Sequence, residues 1–111
     1  KNGDTINKHI EFAKSLNLEI EKRPTDKKTV CIPEKFGDVY ENYNRLQQKA
    51  GYDLRDYKGC EVTLYSYKIE NSEKVMNILV YRGRIIGGDI SDVSISGDML
   101  PLEKNNEKTE T

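Results

Sequence analysis

Apolar residues recur at helical spacing in two stretches of the chain and at alternating spacing between and after them. Near the start, Ile6, Ile10, Ala13 and Leu16 stand three or four residues apart, with Asp4 or Thr5 placed to cap, so the spacing predicts a first helix over 6–16. Leu18 to Glu21 then alternates, Arg23-Pro24-Thr25-Asp26 supplies turn residues, and Thr29 to Ile32 is a second β-prone run ending at Pro33; together these predict a hairpin. The second helix is the clearest element, because Phe36, Val39, Tyr40, Tyr43, Leu46 and Ala50 form one stripe that stops at Gly51. After a loop over 52–59 come a long alternating strand over 61–70, a turn over 71–74, a strand over 75–81 and a final strand over 84–90. Arg82-Gly83 between the last two is expected to be a two-residue hairpin loop, Gly83 supplying a positive φ.

The order is helix-strand-strand followed by helix-strand-strand-strand, an αββ-αβββ pattern without residue-level self-similarity. It predicts an α+β domain over 1–102, two helices packed on one face of a meandering antiparallel sheet of about five strands. The segment 103–111 has no apolar residue and is expected to be a polar, disordered tail.

Pairing across the two turns sorts the side chains by face. With Glu70 opposite Val75 and Tyr81 opposite Arg84, one face collects Tyr65, Tyr67, Ile69, Met76, Ile78, Val80 and Ile85, and is assigned to the helix-covered core. The other face collects Val62, Leu64, Leu79, Tyr81, Ile86 and Ile90, diluted by Ser66, Lys68 and Asn77. That is too much apolar surface to leave in water. Either Val93, Ile95, Met99 and Leu100 fold back over it, or a partner or second copy covers it. The candidate interaction surface is therefore Val62, Leu64, Leu79, Tyr81 and Ile86, with Tyr52 and Tyr57 as exposed contacts.

Composition narrows the classes of function. With 111 residues the chain has room for one core, and 18 basic against 19 acidic residues give no basic stripe, so no nucleic-acid partner is expected. The longest apolar run, Ile78 to Tyr81, is far below the roughly 20 residues of a membrane span. The sequence starts at Lys1 without the apolar core or cleavage site of a signal peptide, which reads as a trimmed or mature piece whose membrane anchor, if any, lies outside it. Cys31 and Cys60 lack CxxC spacing, and are read as two half-buried thiols or, alternatively, as a single disulfide.

Candidate chemistry is sparse. The single histidine, His9, is placed on the polar side of the first helix, where a solvated role is expected. Asp53, Asp56, Asp92 and Asp98 sit among turn formers at spacings that match no calcium loop, so no metal or cofactor is expected. Gly87-Gly88-Asp89 interrupts a strand. Consecutive glycines there point to a bulge, a bend or a close backbone approach, and no GxGxxG or GK[ST] pattern makes them a phosphate loop.

Three pieces of sequence carry a family resemblance: Tyr43-Asn44-Arg45-Leu46-Gln47 in the second helix, Gly51-Tyr52-Asp53-Leu54 with Tyr57-Lys58-Gly59 in the loop, and Val80-Tyr81-Arg82-Gly83-Arg84-Ile85-Ile86-Gly87-Gly88-Asp89-Ile90 in the strand pair. Over about residues 8–100 the chain resembles domain-of-unknown-function family 4830 of Gram-positive bacteria. It departs from that pattern at Ser91, where the pattern has cysteine, and at Ser96 to Leu100, where the pattern is apolar and aromatic, so the last strand is expected to end differently. The resemblance implies an exported, membrane-anchored or lipoprotein-like domain with no assigned activity, ligand or catalytic residue. Three functions follow as expectations: an extracytoplasmic interaction or sensory module binding a protein or cell-envelope partner, a structural domain self-associating as a homodimer, and a small hydrolase using loop carboxylates with Tyr52 or Tyr57.

Overall fold

The computed structural model describes residues 2–92 and 99–103, with side chains from Thr5 onward. Two α-helices, α1 (Asn2–Ser15) and α2 (Asp38–Lys49), accompany five strands, β1 (Asp26–Cys31), β2 (Glu61–Lys68), β3 (Lys74–Tyr81), β4 (Arg84–Asp92) and β5 (Met99–Leu100). The strands form one antiparallel sheet in sequence order, β1 to β5, as an α+β meander requires. Val93, Ile95 and the tail beyond Glu103 lie outside the described residues.

The helices lie on opposite faces of the sheet, which corrects the expected placement of both on one. On the first face, Ile10 and Ala13 of α1 pack with Tyr67, Met76, Ile78 and Val80. On the second, Phe36 ahead of α2, Tyr40 and Tyr43 within it, and Leu54 of the short 3-10 turn Leu54–Tyr57 pack with Val62, Leu79 and Ile86. The physical reason was already in the sheet: both faces are apolar, and each needs a helix to remove it from water. Val62, Leu79 and Ile86 are each under 5% exposed, so they form a second core rather than an interaction surface.

The expected hairpin before Pro33 does not form. Ile20 bridges Ile69, the Thr25 amide donates to Ser66 O, and Asp26 to Cys31 continue down the same edge of β2. The segment is one interrupted edge strand, in which Arg23-Pro24-Thr25 kinks the chain without reversing it; Pro24, lacking an N–H, is tolerated at an edge. At the other end of the sheet Arg82 (φ 52°) and Gly83 (φ 79°) make the tight turn that joins β3 to β4. On the β2–β3 side, Lys68 rather than Glu70 opposes Val75, a slip of two residues that leaves every side chain on its assigned face.

Between β3 and β4 the register shifts by one residue at Leu79/Val80. Tyr81 faces Arg84 and Val80 faces Ile85, but Leu79 faces Gly87 and Ile78 faces Gly88. A one-residue bulge exchanges the faces of everything beyond it. Ile90 therefore joins the α1 core beside Met76 instead of the second face, and Asp89 turns toward α2 beside Asn77.

Candidate functional site

The bulge and the docking of α2 together create the site. Gly88 has φ +148°, and a Cβ built on it falls 2.1 Å from the backbone oxygen of Asn77, so only glycine fits. The Gly88 amide, turned out of the ladder, donates to Gln47 Oε1 of α2 at 2.8 Å. A Cβ on Gly87 would stand 2.8 Å from the same Gln47 oxygen and 3.2 Å from Leu54, so this second missing side chain is what lets α2 and the 3-10 turn approach β4. Gly83, Gly87 and Gly88 thus shape the backbone.

Next to this contact, an open groove of about 700 Å³ runs between α2 and the sheet. Its floor is two rows of side chains that cross the strands in register. One row, Lys28, Leu64 and Leu79, is apolar beyond its first residue; the next, Asp26, Ser66, Asn77 and Asp89, is polar. Its rim carries Val39 of α2, 83% exposed, and Met99 of β5, 48% exposed. Met99 and Leu100 continue the sheet as an edge strand opposite Ser91 and Ile90, so Met99 borders the second face at the groove rim while Leu100 sits beside Ile90 on the other side.

From Ser66 to Asp89 the polar row is a connected network. Ser66 Oγ donates to Asn77 Oδ1 at 2.6 Å, and Asn77 Nδ2 donates to Asp89 Oδ1 at 2.9 Å and to Ser91 Oγ at 3.2 Å. Ser91 Oγ donates to Asp89 Oδ1 at 2.6 Å, while the Tyr43 hydroxyl donates to Asp89 Oδ2 at 2.8 Å. Asp89 is only 4% exposed. Burial first, and then the Asp89 carboxyl, raise the Tyr43 hydroxyl far above its ordinary value of 10, so Tyr43 remains a donor. No basic side chain approaches Asp89 in any ion pair among the described residues; Lys28 contacts Asp26 instead, at 3.8 Å.

Of the other residues singled out from sequence, Leu64 lines the groove and Tyr81 packs into the α2 core edge-to-face with Tyr57, their rings 5.5 Å apart. Tyr52 packs against the α1 core instead, so Tyr52 and Tyr57 serve different faces and do not converge. Asp53 caps the 3-10 turn through the Arg55 amide at 3.0 Å and receives Asn44 Nδ2 at 3.0 Å; the bonded Arg55 side chain, ahead of Asn44, holds its carboxyl well below the usual range. That aspartate is structural, and Asp98 lies outside the described residues.

Cys31 and Cys60 are free thiols, Cys31 exposed and Cys60 partly covered. Ile32 donates its amide to Cys60 O and Cys31 pairs with Glu61, so the cysteines sit on adjacent, opposite-facing positions of one ladder, where their Cβ vectors diverge.

His9 is corrected most sharply. It is 3% exposed, its Nδ1 is hydrogen-bonded to the Tyr67 hydroxyl at 2.7 Å, and its ring packs edge-on to Tyr65 and Tyr67. Ile6, His9, Ile10 and Ala13 follow i, i+3, i+4, i+7 spacing, which is the signal that places His9 on the buried stripe. Asp89 carried no such signal, because its facing depends on the bulge.

Against known families, residues 11–90 match the model described as Domain of unknown function (DUF4830). The chain belongs to that family. Curated proteins and solved structures gave no match. No helix among the described residues is long and apolar enough to cross a membrane, and no three His, Cys, Asp or Glu among them are grouped as metal ligands.

Proposed function

We propose that this domain is a non-catalytic binding module of an exported, envelope-associated protein, and that it takes its ligand in the groove between α2 and the sheet. The observation that carries this reading is the groove floor: an apolar row and a hydrogen-bonded polar row side by side, in a volume within the range of small-ligand sites. Apolar surface supplies affinity there, and the convergent polar atoms of Asn77, Asp89 and Ser91 supply orientation. The exported setting carries over the expectation drawn from the family resemblance. A sensory or tethering role fits a rigid sheet with a pre-formed site.

The alternatives have less support. A hydrolase using loop carboxylates with Tyr52 or Tyr57 needs those groups to converge on a pocket, whereas Tyr52 packs against the α1 core, Tyr57 packs against Tyr81, Asp53 caps the 3-10 turn, and none of them lines the groove. His9, the only histidine, is buried under α1 with Tyr67, away from the groove. Homodimerisation through the second sheet face needs Val62, Leu79 and Ile86 uncovered, and α2 with the 3-10 turn covers them. A fragment screen by amide chemical-shift mapping tests the binding reading. Hits are expected to converge on Leu64, Asn77, Leu79, Asp89 and Ser91; a screen whose hits avoid that set contradicts it.

A further inference from the structure

Asp89 is a carboxylate almost removed from water, and among the described residues every hydrogen bond to it comes from a neutral donor. Asn77 and Ser91 both use Oδ1, whereas Tyr43 alone uses Oδ2. A carboxylate accepts about four hydrogen bonds, so among the described residues one acceptor position on Oδ2 is left over, at a residue that lines the groove. Neutral donors offset only part of the cost of burying a negative charge; a cation offsets far more. The lysine nearest in the lining, Lys28, stands on β1, three strand spacings from β4, or roughly 14 Å. It is more than half exposed and already faces Asp26. The described chain therefore builds an anion-bearing pocket and supplies no counter-ion for it.

Resting on the binding reading above, we infer that the groove selects a small organic cation: a protonated amine or guanidinium seated on Asp89, joined to an apolar body that lies along Leu64 and Leu79. The two rows of the floor set this shape. The charged head meets the polar row at its β4 end, and the apolar body lies over the row beside it, one side-chain spacing away. Burial and the Asp89 carboxyl raise the Tyr43 hydroxyl, so at neutral pH it is a neutral donor that orders the carboxyl without competing for the charge. Lys28 at the β1 end disfavours the reverse orientation.

The test compares tryptamine with tryptophol, which carry the same indole and differ in an ammonium against a hydroxyl, by titration of the amide spectrum at low salt. The expected result is a dissociation constant for tryptamine at least tenfold below that for tryptophol, with the largest shifts at Asn77, Gly88, Asp89 and Ser91, and with the difference abolished in Asp89→Asn. Equal binding of the two probes in the groove overturns the cation inference and leaves the binding reading standing. If neither probe shifts the groove amides, both fail together. The comparison on the unmodified domain decides the point even if Asp89→Asn does not fold.

Discussion

Gln47 Oε1 accepts a hydrogen bond from the Gly88 amide at 2.8 Å and so ties α2 to the bulged strand across the second sheet face. Gln47 is 1% exposed, which makes this a buried polar contact that the fold must satisfy. Gln47→Ala is expected to cost about 1–3 kcal/mol, because it strands the Gly88 amide without a partner. Urea denaturation of the variant checks it; a change within about 0.5 kcal/mol would show that water replaces the glutamine.

The two glycines beside it should respond differently to alanine. At Gly88 the new Cβ meets the Asn77 carbonyl, which cannot move without breaking the sheet, and φ +148° is itself unfavourable for alanine; a loss of about 2 kcal/mol or more is expected. At Gly87 the nearest atom is the end of the Gln47 side chain, so the loss should be about 1 kcal/mol. Because Gln47→Ala removes that obstacle, the double variant with Gly87→Ala should lose less than the sum of the single changes, by about 0.5 kcal/mol or more. Additive losses would mean that the Gln47 oxygen does not set the limit.

Burial lowers the pKa of His9 from its ordinary 6.5, so the unfolded chain binds a proton near that pH while the folded chain resists it. The stabilisation is complete above pH 6.5 and is lost as the pH falls through the lower, folded value. Urea midpoints from about pH 7.5 down to about pH 5 should fall more steeply for the native sequence than for His9→Phe. Parallel slopes would place the acid sensitivity in the carboxylates instead.

Cys31 is exposed and Cys60 is partly covered, and their side chains leave opposite sides of the ladder. Native-state alkylation followed by peptide mass analysis should label Cys31 faster than Cys60, with both labelled fully in denaturant. Protection of both thiols until a reductant is added would contradict the geometry.

Much of this architecture is legible in periodicity, and its failures have particular causes. The α2 stripe ends at Gly51, as the spacing indicates, and β2, β3 and β4 fall close to their expected bounds, because each combines a strong period with turn residues at its ends. Glycines at 87 and 88 signal a bulge, but its position decides which of Asp89 and Ile90 faces inward, and a period-two pattern cannot locate a one-residue shift. The placement of α2 on the second face escapes the pattern for a different reason. Phe36, Tyr40 and Tyr43 announce a buried helix face without saying which sheet face it meets; their packing with Val62, Leu79 and Ile86 and the Gln47–Gly88 contact are long-range pairings invisible to local pattern. The groove depended on both of these, so Leu64 and Leu79 were legible as apolar and facing together, while Ser66, Asn77 and Asp89 were not legible as one network.

If the domain binds in the α2–sheet groove, isotope-filtered nuclear Overhauser spectra of the domain saturated with tryptamine will show contacts from the indole to the methyl groups of Leu46, Leu64 and Leu79 and to the Tyr43 ring. Contacts instead to Ile10 or Phe12 would place the ligand on the α1 side and rule the groove out.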